Sequence, residues 1–132
     1  MSLDVSPELI AQAERGEVDE DRFLEAVQRS LPYAWAVMKR VATRLRDGDT
    51  EGRPYADDAV PPSSEVERGQ LLRALASTAI RESAERHFGV RFAFQNCHRV
   101  AAFPVSGAES EYRAFTSVRA QILNQTPALR HC

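Results

Sequence analysis

The 132-residue sequence is 43% hydrophobic and 27% charged, enough to bury a core without disulfide or metal staples and far from the composition of a disordered chain. Seventeen basic against nineteen acidic residues leave a formal charge of -2, which excludes a broad positive field of the kind that gathers nucleic acid or anionic lipid. Nothing approaches the length of an apolar membrane span, and the acidic stretch from Met1 to Asp19 lacks the basic and apolar regions of a signal peptide, so a cytoplasmic chain with reduced cysteines is expected.

Ser6-Pro7-Glu8 reads as a helix start, with Ser6 as cap, Pro7 in the first position and Gly16 as the stop. Asp19 opens a second helix carrying Phe23, Ala26 and Val27. Pro32 then falls in the first turn of a third, lined by Trp35, Met38, Ala42 and Leu45. The run DGDTEGRPYADDAVPPS, residues 47–63, has neither helical nor alternating period and predicts a surface loop. Ser64 and Glu67 have capping-box spacing. The stripe Leu71, Leu72, Leu75, Ala76, Ala79 and Ile80 predicts one long helix behind them, ending near His87 with Gly89 as its left-handed stop.

The period then changes to alternating between Val90 and Val105, which predicts a β-hairpin at about residues 90–104. A turn centred on Asn96-Cys97 pairs 94 with 99 and 92 with 101, placing Phe92, Phe94, Ala101 and Phe103 on one apolar face. Ser106 and Glu109 repeat the capping-box spacing, and Tyr112, Phe115, Val118, Ile122 and Leu123 predict a last long helix up to Asn124. A short tail follows at 127–132. The expected architecture is one domain over 1–132, α+β and mainly helical, with four to five helices packed on a single antiparallel hairpin.

The side chains with most chemical capacity are Cys97-His98 in the turn, His131-Cys132 at the terminus and His87 before the first strand, together every cysteine and histidine of the chain. Convergence of His87, Cys97, His98, His131 and Cys132 would offer thiolates and imidazoles to zinc or another transition metal. The spacing lacks the short chelating pairs of structural zinc sites, so no cofactor is predicted. Cys97 flanked by His98 and Arg99 has the neighbours of an activated nucleophile or redox sensor, with Cys132 as a second thiol; the plainer reading makes them turn and strand residues. Arg91, Gln95, Asn96 and Arg99, with His98 and Arg113, mark a polar surface suited to a small anionic ligand. Asp47, Asp49, Glu51, Gly52 and Asp58 follow EF-hand spacing in part, but Pro54, Pro61 and Pro62 oppose that loop and favour solvated carboxylates. Arg68, Arg73, Arg81 and Arg86 alternate with glutamates around the long helix and read as ion pairs, leaving no nucleic-acid surface.

SLPYAW at Ser30 to Trp35, HFGVRFAFQNCHRVAAF at His87 to Phe103, and the stretch from Phe115 to Cys132 resemble a family of small actinobacterial proteins of uncharacterised function. That resemblance implies lineage and a cytoplasmic setting, and it supplies no catalytic residue. The arginine- and alanine-rich composition with a single lysine, Lys39, fits a GC-rich genome. In the absence of a catalytic motif, the expected role is an accessory or protein-interaction domain, its partner another protein or a second copy meeting it through the hairpin edge or helix faces. A metal- or thiol-dependent protein and a small-ligand binder are the alternatives.

Overall fold

The computed structural model describes residues 2–127. Ten elements follow in chain order: α1 (Pro7–Arg15), α2 (Glu20–Ser30), α3 (Pro32–Arg46), β1 (Ala56–Asp58), α4 (Glu65–Leu75), α5 (Thr78–Phe88), β2 (Arg91–Gln95), β3 (Arg99–Phe103), α6 (Glu109–Phe115) and α7 (Val118–Leu123). The class is α+β and mainly helical, as expected, but among the described residues the helices number seven and the sheet has three strands.

Local chemistry sets the first boundaries. The Ser6 hydroxyl accepts from the Leu9 N–H at 3.1 Å, and Gly16, at φ 72°, closes α1 in the left-handed conformation. Asp19 caps α2, and Pro32 occupies the first turn of α3. The third helix is the pillar of the molecule. Its buried face, Ala34, Trp35, Val37, Met38, Val41 and Ala42, meets α2, α4, β1 and β3.

The strand β1 lies inside the stretch expected to be loop. It pairs antiparallel with β3, giving the order β1-β3-β2. No alternation betrays it, because it is three residues long and two of them, Asp57 and Asp58, are carboxylates neutralised by arginines rather than apolar anchors. The hairpin itself forms where expected, with its register moved by one residue: Phe94 pairs with Val100 and Phe92 with Ala102. The loop therefore holds three residues, Asn96, Cys97 and His98, with Asn96 at φ 52° and Cys97 at φ 57°. A one-residue shift exchanges the faces of one strand. Phe92, Val100 and Ala102 point into the main core with Met38, Leu71 and Ile80, whereas Ala93, Ala101 and Phe103 form a second core with Phe115, Tyr55 and Tyr112.

Both long helices expected from periodicity are broken. Ser77 leaves helical geometry and its hydroxyl accepts from the Ile80 N–H at 3.4 Å, so α5 starts afresh after α4. The apolar spacing runs on regardless, because Leu71 and Leu75 of α4 and Ile80 and Ala84 of α5 enter one core. Periodicity here records burial, not helix continuity. Likewise Ser117 caps α7 through the Ala120 N–H at 3.1 Å, separating it from α6. Ser106 is not the cap of α6, whose preceding residue is Ala108 in the left-handed region at φ 57°.

Both rims of the sheet are occupied by side chains. On β2 the Phe92 N–H donates to the Glu85 carboxylate at 2.7 Å, and on β1 the Asp57 carbonyl accepts from Arg44 at 2.6 Å. Such caps block addition of a foreign strand.

Candidate functional site: the hairpin turn and its arm

The turn residues singled out by sequence are all found at one end of the sheet, facing the C-terminal arm formed by α6 and α7. Each is engaged within the molecule. Gln95 is 1% exposed; its amide donates to the Phe115 carbonyl at 2.8 Å and accepts from Arg99 at 3.3 Å. The Asn96 amide donates to the Gln121 carbonyl at 3.1 Å. His98 is buried, with Nδ1 2.6 Å from the Asn96 carbonyl and Nε2 3.1 Å from the Thr126 hydroxyl. The first contact makes Nδ1 the donor to that carbonyl. Nε2 is then the acceptor from Thr126, which uses both ring nitrogens.

Cys97 is buried and disulfide-bonded, which corrects the expectation of reduced cysteines and leaves the alternative of an activated nucleophile no thiol to ionise at this position. Cys132 and His131, the other proposed thiol and metal residues, lie outside the described residues, as does most of the predicted tail. His87 is not brought to the turn. It is exposed at the other end of β2, in the last turn of α5, where its ring lies 5.4 Å from Trp35 and 4.8 Å from Phe88. Among the described residues no group of three histidines, cysteines or carboxylates is placed to hold a metal ion.

The polar surface expected to bind an anion is likewise used internally. Arg99 is pinned on Asp57 Oδ2, with Nε at 2.9 Å and its terminal nitrogen at 2.7 Å, and its guanidinium lies 5.2 Å from the Phe115 ring centre. Arg53 reaches the other oxygen of the same carboxylate at 2.6 Å. Burial alone pushes the Asp57 carboxyl up; hydrogen bonds from Arg99 and Arg53, with their charges, outweigh it and hold the group below its ordinary value. Arg91 lies over Tyr112 at 3.9 Å and pairs with Glu109, and Arg113 is exposed in the last turn of α6. In the partial calcium pattern, Asp58 pairs with Arg40, Asp49 with Arg44 and Glu51 with Arg53, so three of its carboxylates are committed to guanidinium groups.

A depression of about 430 Å³ remains beside the turn, between the α4-α5 connection and the arm. Leu72, Phe94, Asn96, Gln121 and Gln125 line it, and no carboxylate, amine, guanidinium or imidazole is among its lining residues. Its polar lining is supplied by the amides of Asn96, Gln121 and Gln125 and by Thr126, whose hydroxyl is hydrogen-bonded to His98. Sequence reasoning missed Asp57, Thr126 and the Phe115 and Gln121 carbonyls. Backbone acceptors leave no sequence signature, and Asp57 is hidden among four other acidic residues of its loop.

No curated protein and no solved structure matches this chain. A family model does match, over residues 1–132, and by it the chain belongs to the KH_NucS_shadow family, described as NucS shadow ORF.

Proposed function

We propose that this chain is an accessory, protein-interaction domain that works by contact and performs no chemistry of its own. One observation carries the reading: α7 contributes no buried side chain and displays Val118, Ile122 and Leu123 at 76%, 64% and 62% exposure. Its inward side is only half-buried, at Ala120 and Gln121, and exposed aliphatic side chains grouped on a short helix are the mark of a surface that meets another macromolecule. The reading also draws on the turn beneath, whose reactive side chain types are spent on holding that arm in place. No helix among the described residues is long and apolar enough to cross a membrane. The test is a photo-crosslinking amino acid placed at position 122, with exposed position 39 on α3 as control, in cells that express the protein normally. A discrete protein adduct from 122 and not from 39 is expected. Equal, diffuse labelling at both positions overturns the proposal.

A second reading, single-stranded nucleic acid, is favoured by the letters KH in the family label, since KH modules clamp four backbone nucleotides with a Gly-x-x-Gly loop between helices. The short connection between α4 and α5, Leu75-Ala76-Ser77-Thr78, has no glycine to let a phosphate approach the backbone. The net charge of -2 offers no counterion-release drive, so protein contact is preferred. Fluorescence anisotropy with labelled single-stranded DNA and RNA at low salt separates the two. Saturable binding that weakens steeply with salt would favour nucleic acid.

A further inference from the structure

Resting on the protein-interaction reading, we infer that the partner of α7 is a second copy of this chain, and that α7 seats in the apolar groove between α1 and the start of α2. The groove, about 370 Å³, is lined by Val5, Leu9, Ile10, Ala13, Val18 and Phe23 and exposes no polar surface. Ile10 and Val18 stand 46% and 47% exposed on its margin, although both are large aliphatic side chains. α1 buries only Leu9. The molecule thus carries an apolar concavity at one end of its sequence and an apolar helical ridge at the other.

Charge makes the two complementary. Residues 1–30 hold eight carboxylates against three arginines, whereas residues 116–127 hold Arg119 as their only charged side chain. Among the described residues Glu14, Asp21 and Glu25 have no basic partner. Glu14 follows Ile10 by one helical turn and so borders the groove. On α7, Val118 and Ile122 are one turn apart, as are Arg119 and Leu123, so a guanidinium flanks the aliphatic ridge where an acidic margin would meet it. Each rim of the sheet already carries a side-chain hydrogen bond, from Glu85 on β2 and Arg44 on β1, which disfavours strand addition as the route. Reciprocal exchange, each α7 in the other copy's groove, closes a two-fold dimer and buries both surfaces twice.

Sedimentation velocity over a wide concentration range tests this with the full chain. The wild type is expected to move from monomer toward dimer with concentration, and Ile10→Asp or Ile122→Asp each to weaken association at least about tenfold, with circular dichroism unchanged. An equimolar mixture of the two variants retains one intact groove facing one intact α7, so dimer is expected to reappear in the mixture alone. A wild type that stays monomeric throughout, or a mixture no more associated than either variant, overturns the inference. Adducts from position 122 to a different protein would then leave the interaction reading standing, while their absence would remove both.

Discussion

Asp57→Asn preserves volume and removes one charge from the point where β1, β3 and the loop before β1 are tied together. In the native protein Oδ2 takes two hydrogen bonds from Arg99 at 2.9 and 2.7 Å, and Oδ1 takes one from Arg53 at 2.6 Å. Asparagine keeps one acceptor and turns an NH2 group toward the other guanidinium, so one arginine loses its partner and faces a donor instead. Removing one member of a fully buried ion pair costs about 3–5 kcal/mol. Here the carboxylate side chain is 11% exposed but its two arginines are 21% and 31% exposed, so water recovers part of the loss. A penalty of about 2–3 kcal/mol follows, or roughly 10 °C in melting temperature for a domain of this size. The pH dependence carries the sign. Because the folded carboxyl titrates below its ordinary value, its stabilisation is complete above about pH 4 and is lost as pH falls through the lower, folded value. Thermal melts of both proteins are therefore expected to differ by a constant gap from pH 7 to about 5, closing as pH drops further. Coincident melts at pH 7, or a gap that persists undiminished into strong acid, would refute the assignment of Asp57 as the anchor and of Arg99 as a structural residue.

Three other perturbations test the same network from different sides. Gln95→Leu leaves the Phe115 carbonyl without its buried donor, and is expected to cost about 1–3 kcal/mol and to speed amide exchange in α6 and α7 before α3. Glu85→Ala uncovers the Phe92 N–H on the rim of β2; a loss of about 1–2 kcal/mol and new concentration-dependent aggregation by light scattering are expected, whereas Glu85→Gln, which retains an acceptor, stays near wild type. Gly89→Ala tests conformation alone: Gly89 sits at φ 68° and an added Cβ meets nothing within 4 Å, so a loss of about 1 kcal/mol in urea titration reflects the left-handed backbone and not a clash.

What the sequence made legible was local. The caps at Ser6, Asp19 and Ser64, the stops at Gly16 and Gly89 and the change of period at Val90 each rest on interactions within a few residues, and each is found in the fold. What stayed hidden depends on partners far along the chain. The three residues of β1 become a strand only because β3, more than forty positions later, offers a rim and because Arg40, Arg44, Arg53 and Arg99 neutralise its carboxylates and cap its carbonyl. The hairpin register turned on whether the loop holds two residues or three, a choice made by the left-handed conformations of Asn96 and Cys97 and by packing on both faces of the sheet. The breaks at Ser77 and Ser117 were masked because the helices on either side of Ser77 feed one core, and because Val118, Ile122 and Leu123 keep helical spacing while facing outward.

The cluster at the turn shows why residue type is a poor guide to chemistry when the backbone around it has unmet needs. A hairpin loop in left-handed conformation and the ends of two short helices leave carbonyls that no regular structure satisfies. Amides and an imidazole are suited to that task, and Gln95, Asn96 and His98 perform it, with the Thr126 hydroxyl holding the far nitrogen of the His98 ring. Their donors and acceptors are committed within the molecule, and the described surface also carries exposed aliphatic side chains on α7 and beside the groove of α1 and α2. On the protein-interaction reading proposed above, the latch at the turn has a function of its own, because it fixes the direction in which the exposed aliphatic side chains of α7 are presented.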